Sequence, residues 1–288
     1  MAMNLEVVRG YRFAPVHRRL RPQEVILYAL GVGAGSQDPL APAELKYVYD
    51  DGLTALPTLA VVLASEPLWI QDPATGIDWP TVLHGEQRLM LHRPLPVEGD
   101  LIGQAHIGEI FDKGPGRGVL VQQSRVLSDA ATGEPIATLG STAFLRGEGG
   151  LPGVSRDAPQ PHPTPEDRAP DVVIDLPTRP DQALLYRLTG DHNPLHADPA
   201  VARAAGFERP ILHGLCTYGF ACRAVLRGVC DDDPARLRRF DVRFSNPVFP
   251  GETLRTAIWR EGAGRAAFRT WAVERGKVVL NNGLAEFA

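Results

Sequence analysis

From Leu215 to Val229 the apolar residues Tyr218, Cys222, Val225, Leu226 and Val229 recur at helical intervals with no proline among them, which predicts one long buried helix. The period then changes. Phe240–Phe244, Thr253–Arg260, Ala266–Val273 and Val278–Phe287 are rich in β-branched and aromatic residues and are separated by Pro-x-x-Pro-Gly, Glu-Gly-Ala-Gly and Arg-Gly-Lys turns, so strands are predicted after the helix. Ahead of it, Thr178 and Asp181 have the spacing of a capping box, opening a helix to about Thr189 that Gly190 can end.

The same order occurs earlier in the chain. Arg21-Pro22-Gln23-Glu24-Val25-Ile26-Leu27-Tyr28-Ala29-Leu30 aligns without gaps with Arg179-Pro180-Asp181-Gln182-Ala183-Leu184-Leu185-Tyr186-Arg187-Leu188. Leu56-Pro57-Thr58-Leu59 answers Arg209-Pro210-Ile211-Leu212, each ahead of an apolar run read as helical. Pro94–Leu101 answers Pro247–Leu254, and Gln87–His92, Leu101–Ile110, Gly118–Val126 and Ala137–Leu145 repeat the strands. This is a duplicated domain, each copy placing a helix against antiparallel strands, an α+β arrangement. The boundary is compositional: residues 151–170 carry prolines 152, 159, 161, 163, 165 and 170 without apolar periodicity, and read as an extended linker. The expected domains are therefore 1–150 and 171–288, joined by 151–170.

Composition narrows the function. Hydrophobic residues are 44% and charged residues 22% of the 288, as in ordinary folded soluble chains. A net charge of -4 supplies no basic field for nucleic acid or an anionic membrane, and no run approaches the ~18 apolar residues of a span. Neither is expected as a partner. Cys216, Cys222 and Cys230 are odd in number and contain no Cys-x-x-Cys pair, which fits a reducing compartment and gives a zinc site no anchor. The start of the chain lacks a signal-peptide pattern and the closing Ala285-Glu286-Phe287-Ala288 is not of the Ser-Lys-Leu type, so a cytoplasmic location is expected.

The densest polar cluster is Tyr186-Arg187-Leu188-Thr189-Gly190-Asp191-His192-Asn193-Pro194-Leu195-His196. A turn through Pro194 would bring the Asp191 carboxylate, the Asn193 amide and the His196 imidazole onto one small volume, where they can hold a water and move protons near neutral pH. An Asx turn followed by a loop histidine would use the same residues. The repeat favours chemistry, because the matching loop, Gly31-Val32-Gly33-Ala34-Gly35-Ser36-Gln37-Asp38-Pro39-Leu40, contains no histidine and no Gly-Asp-x-Asn-Pro pattern. Downstream, Pro210-Ile211-Leu212-His213-Gly214 leads into the buried helix, whose first-turn N–H groups have no internal acceptor and can meet a developing oxyanion. Gly214 would equally relieve crowding between helix and sheet. The Gly31–Gly35 run follows a helix rather than a strand, so it is not a dinucleotide fingerprint.

Tyr186–His196 together with Leu212-His213-Gly214-Leu215-Cys216-Thr217-Tyr218-Gly219 resembles the motif of MaoC-like (R)-specific enoyl-CoA hydratases, the hydratase 2 family. Leu27–Gly33, Val82-Leu83-His84-Gly85-Glu86-Gln87, Phe111-Asp112-Lys113-Gly114 and Val242–Leu254 extend the resemblance to the two-domain type over nearly the whole chain. It implies a double hot-dog fold, with a long helix wrapped by an antiparallel sheet in each half. It also implies an acyl-CoA thioester substrate, Asp191 and His196 as the acid/base pair, Asn193 holding the water and the Gly214 N–H polarising the thioester carbonyl. His84, Gly85, Lys113 and Phe244 match positions that contact the acyl-CoA, while the first half shapes the acyl pocket. Neither a metal nor a redox cofactor is implied, and a homodimer of the whole chain stays open. A hot-dog thioesterase and a non-catalytic acyl-thioester binding protein remain as alternatives.

Overall fold

The computed structural model describes residues 3–288. Its strands are β1 (Val16–Leu20), β2 (Val82–Leu91), β3 (Gly99–Asp112), β4 (Val119–Asp129), β5 (Pro135–Leu145), β6 (Val172–Pro177), β7 (Leu237–Phe244), β8 (Thr253–Arg260), β9 (Arg265–Ala272) and β10 (Lys277–Phe287). They form one antiparallel sheet in the order β1-β3-β4-β5-β2-β7-β10-β9-β8-β6. Read outward from its middle, the sheet repeats itself: β2-β5-β4-β3-β1 on one side and β7-β10-β9-β8-β6 on the other. The duplication in the sequence is thus a pseudo-two-fold in the topology. Where the halves meet, Glu86 pairs with Arg243 and Arg88 with Asp241, opposite charges on neighbouring strands.

Among the described residues six α-helices accompany the sheet: α1 (Leu5–Gly10), α2 (Pro22–Gly31), α3 (Pro42–Leu45), α4 (Gln182–Tyr186), α5 (Pro199–Ala204) and α6 (Gly214–Val229). The long helix α6 starts one residue before its predicted bound, and every residue from Cys216 to Leu226 is buried, as expected for a helix apolar on nearly all sides. It packs on β6, β7, β8 and β10 and against the first half's 57–62 segment. Tyr218 donates to the Phe240 carbonyl at 2.6 Å, and the Phe240 ring stacks on Phe268 with centroids 4.7 Å apart. A Cβ at Gly219 would fall 2.4 Å from Val32, so only glycine lets α6 come this close to the end of α2. Cys216, Cys222 and Cys230 are buried and unpaired. No helix among the described residues is long and apolar enough to cross a membrane.

Two expected elements are overturned. The apolar run after Leu56 forms a six-residue 3-10 segment, Pro57–Val62, instead of a second long helix. Its β-branched Thr58, Val61 and Val62 are weak helix formers, and Pro67 disfavours helical backbone at Glu66, so the run stops before it can propagate. Nor does Thr178 cap a helix. Its hydroxyl donates to the Glu252 carbonyl at 2.8 Å and accepts from the Gly251 N–H at 2.9 Å, leaving α4 to begin at Gln182 and pass into a 3-10 turn, Arg187–Thr189. Gly190, at φ 127°, does end that turn.

The edge strands β1 and β6 carry no sequence alternation strong enough to announce them; β1 reads Val-His-Arg-Arg-Leu, charges that suit a guarded edge. Strand β2 begins at Val82 rather than Gln87, which brings His84 and Gly85 into the sheet. Residues 151–170 form no helix, and Ser155 makes an isolated bridge to Phe111. Further on, His162 accepts from Asn282 at 2.8 Å, and Arg168 donates to the Arg260 carbonyl at 2.7 Å.

Candidate active site

Gly190 releases the chain from α4 into a tight polar loop. The Asp191 carboxylate accepts the Asn193 N–H at 3.1 Å, and the Asn193 side-chain oxygen accepts the Leu195 N–H at 3.0 Å, capping the 3-10 turn Pro194–His196. The Asx turn given as the alternative reading of this loop is therefore present, and the same residues lie in it. Asn193 uses its side-chain oxygen in the turn, and the residue is exposed. Asp191 and His192 are exposed, whereas His196 is 8% exposed.

The carbonyl partner of His196 fixes its tautomer. Nδ1 lies 2.9 Å from the Ile211 carbonyl, which can only accept, so Nδ1 carries the proton and Nε2 presents a lone pair. Burial lowers the His196 pKa, with the Ile211 carbonyl and Asp191 opposing the shift. His196 is then a neutral proton acceptor near pH 7. The acid limb of kcat/KM is accordingly expected below the ordinary imidazole value of about 6.5, because activity is lost only on protonation of a group that resists it. A pH profile whose acid limb lies at or above that value would contradict this assignment.

His213, the residue before Gly214, belongs to the same cluster. One ligand atom each from Asp191, His196 and His213 lies within 4.8 Å of the others, close enough for one water or one small cation to bridge them. The signal available in the sequence was a second histidine immediately before the helix start. Gly214 is the first residue of α6, so its N–H has no acceptor within the helix. A Cβ there would meet the Phe244 ring at 3.2 Å, so the glycine relieves crowding between helix and sheet.

The remaining candidates are linked by pairwise contacts. The Phe244 and His84 rings are 4.7 Å apart, and His84 contacts the Glu86 carbonyl through Nε2 at 3.1 Å, where β2 shifts register. Gly85 lies beside Phe144, to whose Cβ an added Cβ would come within 3.8 Å, and the Lys113 ammonium stands 5.3 Å over the Phe144 ring. Lys113 is held in place because Asp112, 1% exposed, accepts the N–H groups of Gly114, Gly150 and Leu151. The Asp191–His196–His213 cluster, the first-turn N–H of Gly214 and the contacts from Phe244 and His84 and from Phe144 to Lys113 are thus in place. They fit a thioester whose carbonyl reacts at one end and whose anionic carrier trails toward the other.

Residues 162–283 match the MaoC like domain, and residues 19–147 match the MFE-2 hydratase 2 N-terminal domain. The chain is 38% identical over 292 residues to the probable enoyl-CoA hydratase 2 of Dictyostelium discoideum, covering 99% of this chain and 97% of that one. It is 42% identical over 271 residues to the 3-hydroxyacyl-thioester dehydratase Y of Mycobacterium tuberculosis, covering 92% of each. A crystal structure of a MaoC-like dehydratase from Phytophthora capsici superposes with a TM-score of 0.86 at 34% identity, covering 99% of both chains. A Mycobacterium tuberculosis protein with a double hotdog fold, 17% identical, superposes at 0.56 over 96% of this chain and 95% of that one and bears on the fold alone. With an α+β double hot-dog fold and relatives matched nearly end to end, the chain belongs to the MaoC-like enoyl-CoA hydratase 2 family.

Proposed function

We infer that the protein is an (R)-specific enoyl-CoA hydratase: it adds water reversibly and syn across a trans-2-enoyl-CoA to give the (3R)-3-hydroxyacyl-CoA. The observation that carries this is the cluster of Asp191, His196 and His213, one ligand atom of each within 4.8 Å of the others, with His213 immediately preceding Gly214, the first residue of α6. The Asp191–His196 pair takes one proton from water as its oxygen bonds to C3. The C2=C3 electron pair moves toward the thioester, and the enolate-like charge on its oxygen meets the Gly214 N–H. One proton then passes from the pair to C2 on the same face, which regenerates the site. The two groups act as a coupled unit.

The second half, 171–288, supplies these groups, and the first half, 1–150, supplies the acyl pocket and Lys113, with 151–170 connecting them. A six-residue 3-10 segment fills less space than a helix of the length of α6, which supports accommodation of the acyl group on the first-half side. The chemistry needs neither a metal nor a redox cofactor, and the three buried thiols suit a reducing compartment such as the cytoplasm.

Incubated with crotonyl-CoA or a longer trans-2-enoyl-CoA, the protein is expected to remove the conjugated thioester absorbance and to yield the (3R)-hydroxy product with no free CoA. Stoichiometric CoA release would instead identify a thioesterase. Saturable binding without turnover on either substrate would identify a binding protein.

A further inference from the structure

His213 is 2% exposed and has no step in the chemistry above. Its ring lies against His196, with centroids 3.7 Å apart and planes at 30°, and it also meets the Tyr186 ring at 4.9 Å. Nε2 is 3.2 Å from the Asp191 backbone carbonyl. Because a carbonyl only accepts, Nε2 carries the proton and Nδ1 is a bare lone pair, which is buried without a partner. An unpaired buried acceptor is unfavourable, and a phenyl ring would fill the same space without it. The use of imidazole here therefore lies in the Nε2–H.

We propose that His213 is a positioning residue: its Nε2–H holds the Asp191 backbone while its ring backs His196, setting the distance and angle between the two members of the pair. This rests on the assignment of Asp191 and His196 as that pair. The groups facing His213 are His196, Asp191, Arg187 and Tyr186. Burial, followed by the neighbouring His196, pushes its pKa down to about 4 against the opposing effect of Asp191, so the ring stays neutral and keeps a single tautomer.

The first half supports this stack. A Cβ at Gly31 would come 3.4 Å from the Tyr186 Cα, and the Gly31 carbonyl accepts from Gln182 at 2.7 Å and from the Cys216 thiol at 3.3 Å. Gly31, at the end of α2, thus ties α4 and α6 together behind the Tyr186 ring.

The test uses the full chain with enoyl-CoA, comparing wild type, His213→Phe and His213→Gln. Phe keeps an aromatic ring but no donor, and Gln keeps an N–H of similar reach but no ring. The positioning role predicts a kcat about tenfold lower for His213→Phe, with KM within about twofold and partial recovery of kcat in His213→Gln. A packing role predicts the reverse order, with Phe near wild type and Gln worse, and that order would overturn the proposal. Long-range 1H–15N spectra of the wild type should show His213 as the Nε2–H tautomer well below the ordinary imidazole value of about 6.5. A proton on Nδ1 would also overturn it, even if neither variant folds. Retained activity in Asp191→Asn would refute the catalytic pair while leaving the tautomer result standing.

Discussion

Asp191→Asn should lower kcat/KM for enoyl-CoA hydration by roughly 10³-fold while leaving the fold intact, since a positioned acid or base contributes about 10²–10⁴. The amide oxygen of Asn can still accept the Asn193 N–H that Asp191 accepts at 3.1 Å, so the loop keeps its shape. What disappears is the carboxylate and its capacity to exchange a proton. His196→Ala should cause a comparable loss by removing the Nε2 lone pair held in register by Ile211. Because the groups work as a unit, the double variant should be little worse than either single one. Steady-state hydration kinetics with a thermal melt on each variant check this. Either single variant retaining more than about a tenth of wild-type activity would remove that residue from the proton-transfer step.

Glu44→Ala should destabilise the protein by about 3–5 kcal/mol, the range for breaking a buried ion pair by deleting one partner. Glu44, at the end of α3 and 6% exposed, accepts from Arg223 at 2.8 and 2.7 Å, from Arg227 at 2.7 Å and from the Gly35 N–H at 2.7 Å. Arg223 also donates to the Val32 carbonyl at 3.0 Å, so the truncation strands a buried guanidinium between the first half and α6. Burial alone would push the Glu44 carboxyl up, but Arg223, the Gly35 N–H and Arg227 more than offset it and hold the group below its usual range. The associated stability is therefore present above the ordinary Glu pKa and is lost as pH falls through the lowered one. Urea unfolding near neutral pH measures the effect. Replacing the cluster by apolar residues, Glu44→Leu with Arg223→Met, should recover much of the loss. A shift below about 1 kcal/mol for Glu44→Ala would show that the cluster contributes little.

Periodicity made the long helix and most strands legible because each has a single requirement, an apolar face of one period, and α6 satisfies it almost without exception. It failed where that requirement is met by other means. The run after Leu56 is as apolar as a buried helix yet too short, and too rich in β-branched residues, to become one. Thr178 has capping-box spacing, but its hydroxyl finds a better pair of partners in the turn at Gly251 and Glu252. Local sequence cannot announce a partner more than seventy positions away. The polar loop Tyr186–His196 is legible because its polarity is contiguous and its counterpart lacks it. His213 was hidden for the converse reason: its contacts, Tyr186, Asp191 and His196, come from another segment of the chain.

The five residue pairs joining β2 to β7 have a consequence for the life of the chain before it is complete. Until the second half emerges, β2 presents an open row of backbone donors and acceptors, a template for any extended peptide nearby. The second half closes that row, and its own β7 edge is closed in return. Covalent fusion of the copies therefore guards both edges. It keeps each half's protector at high local concentration, independent of how much of the protein the cell makes.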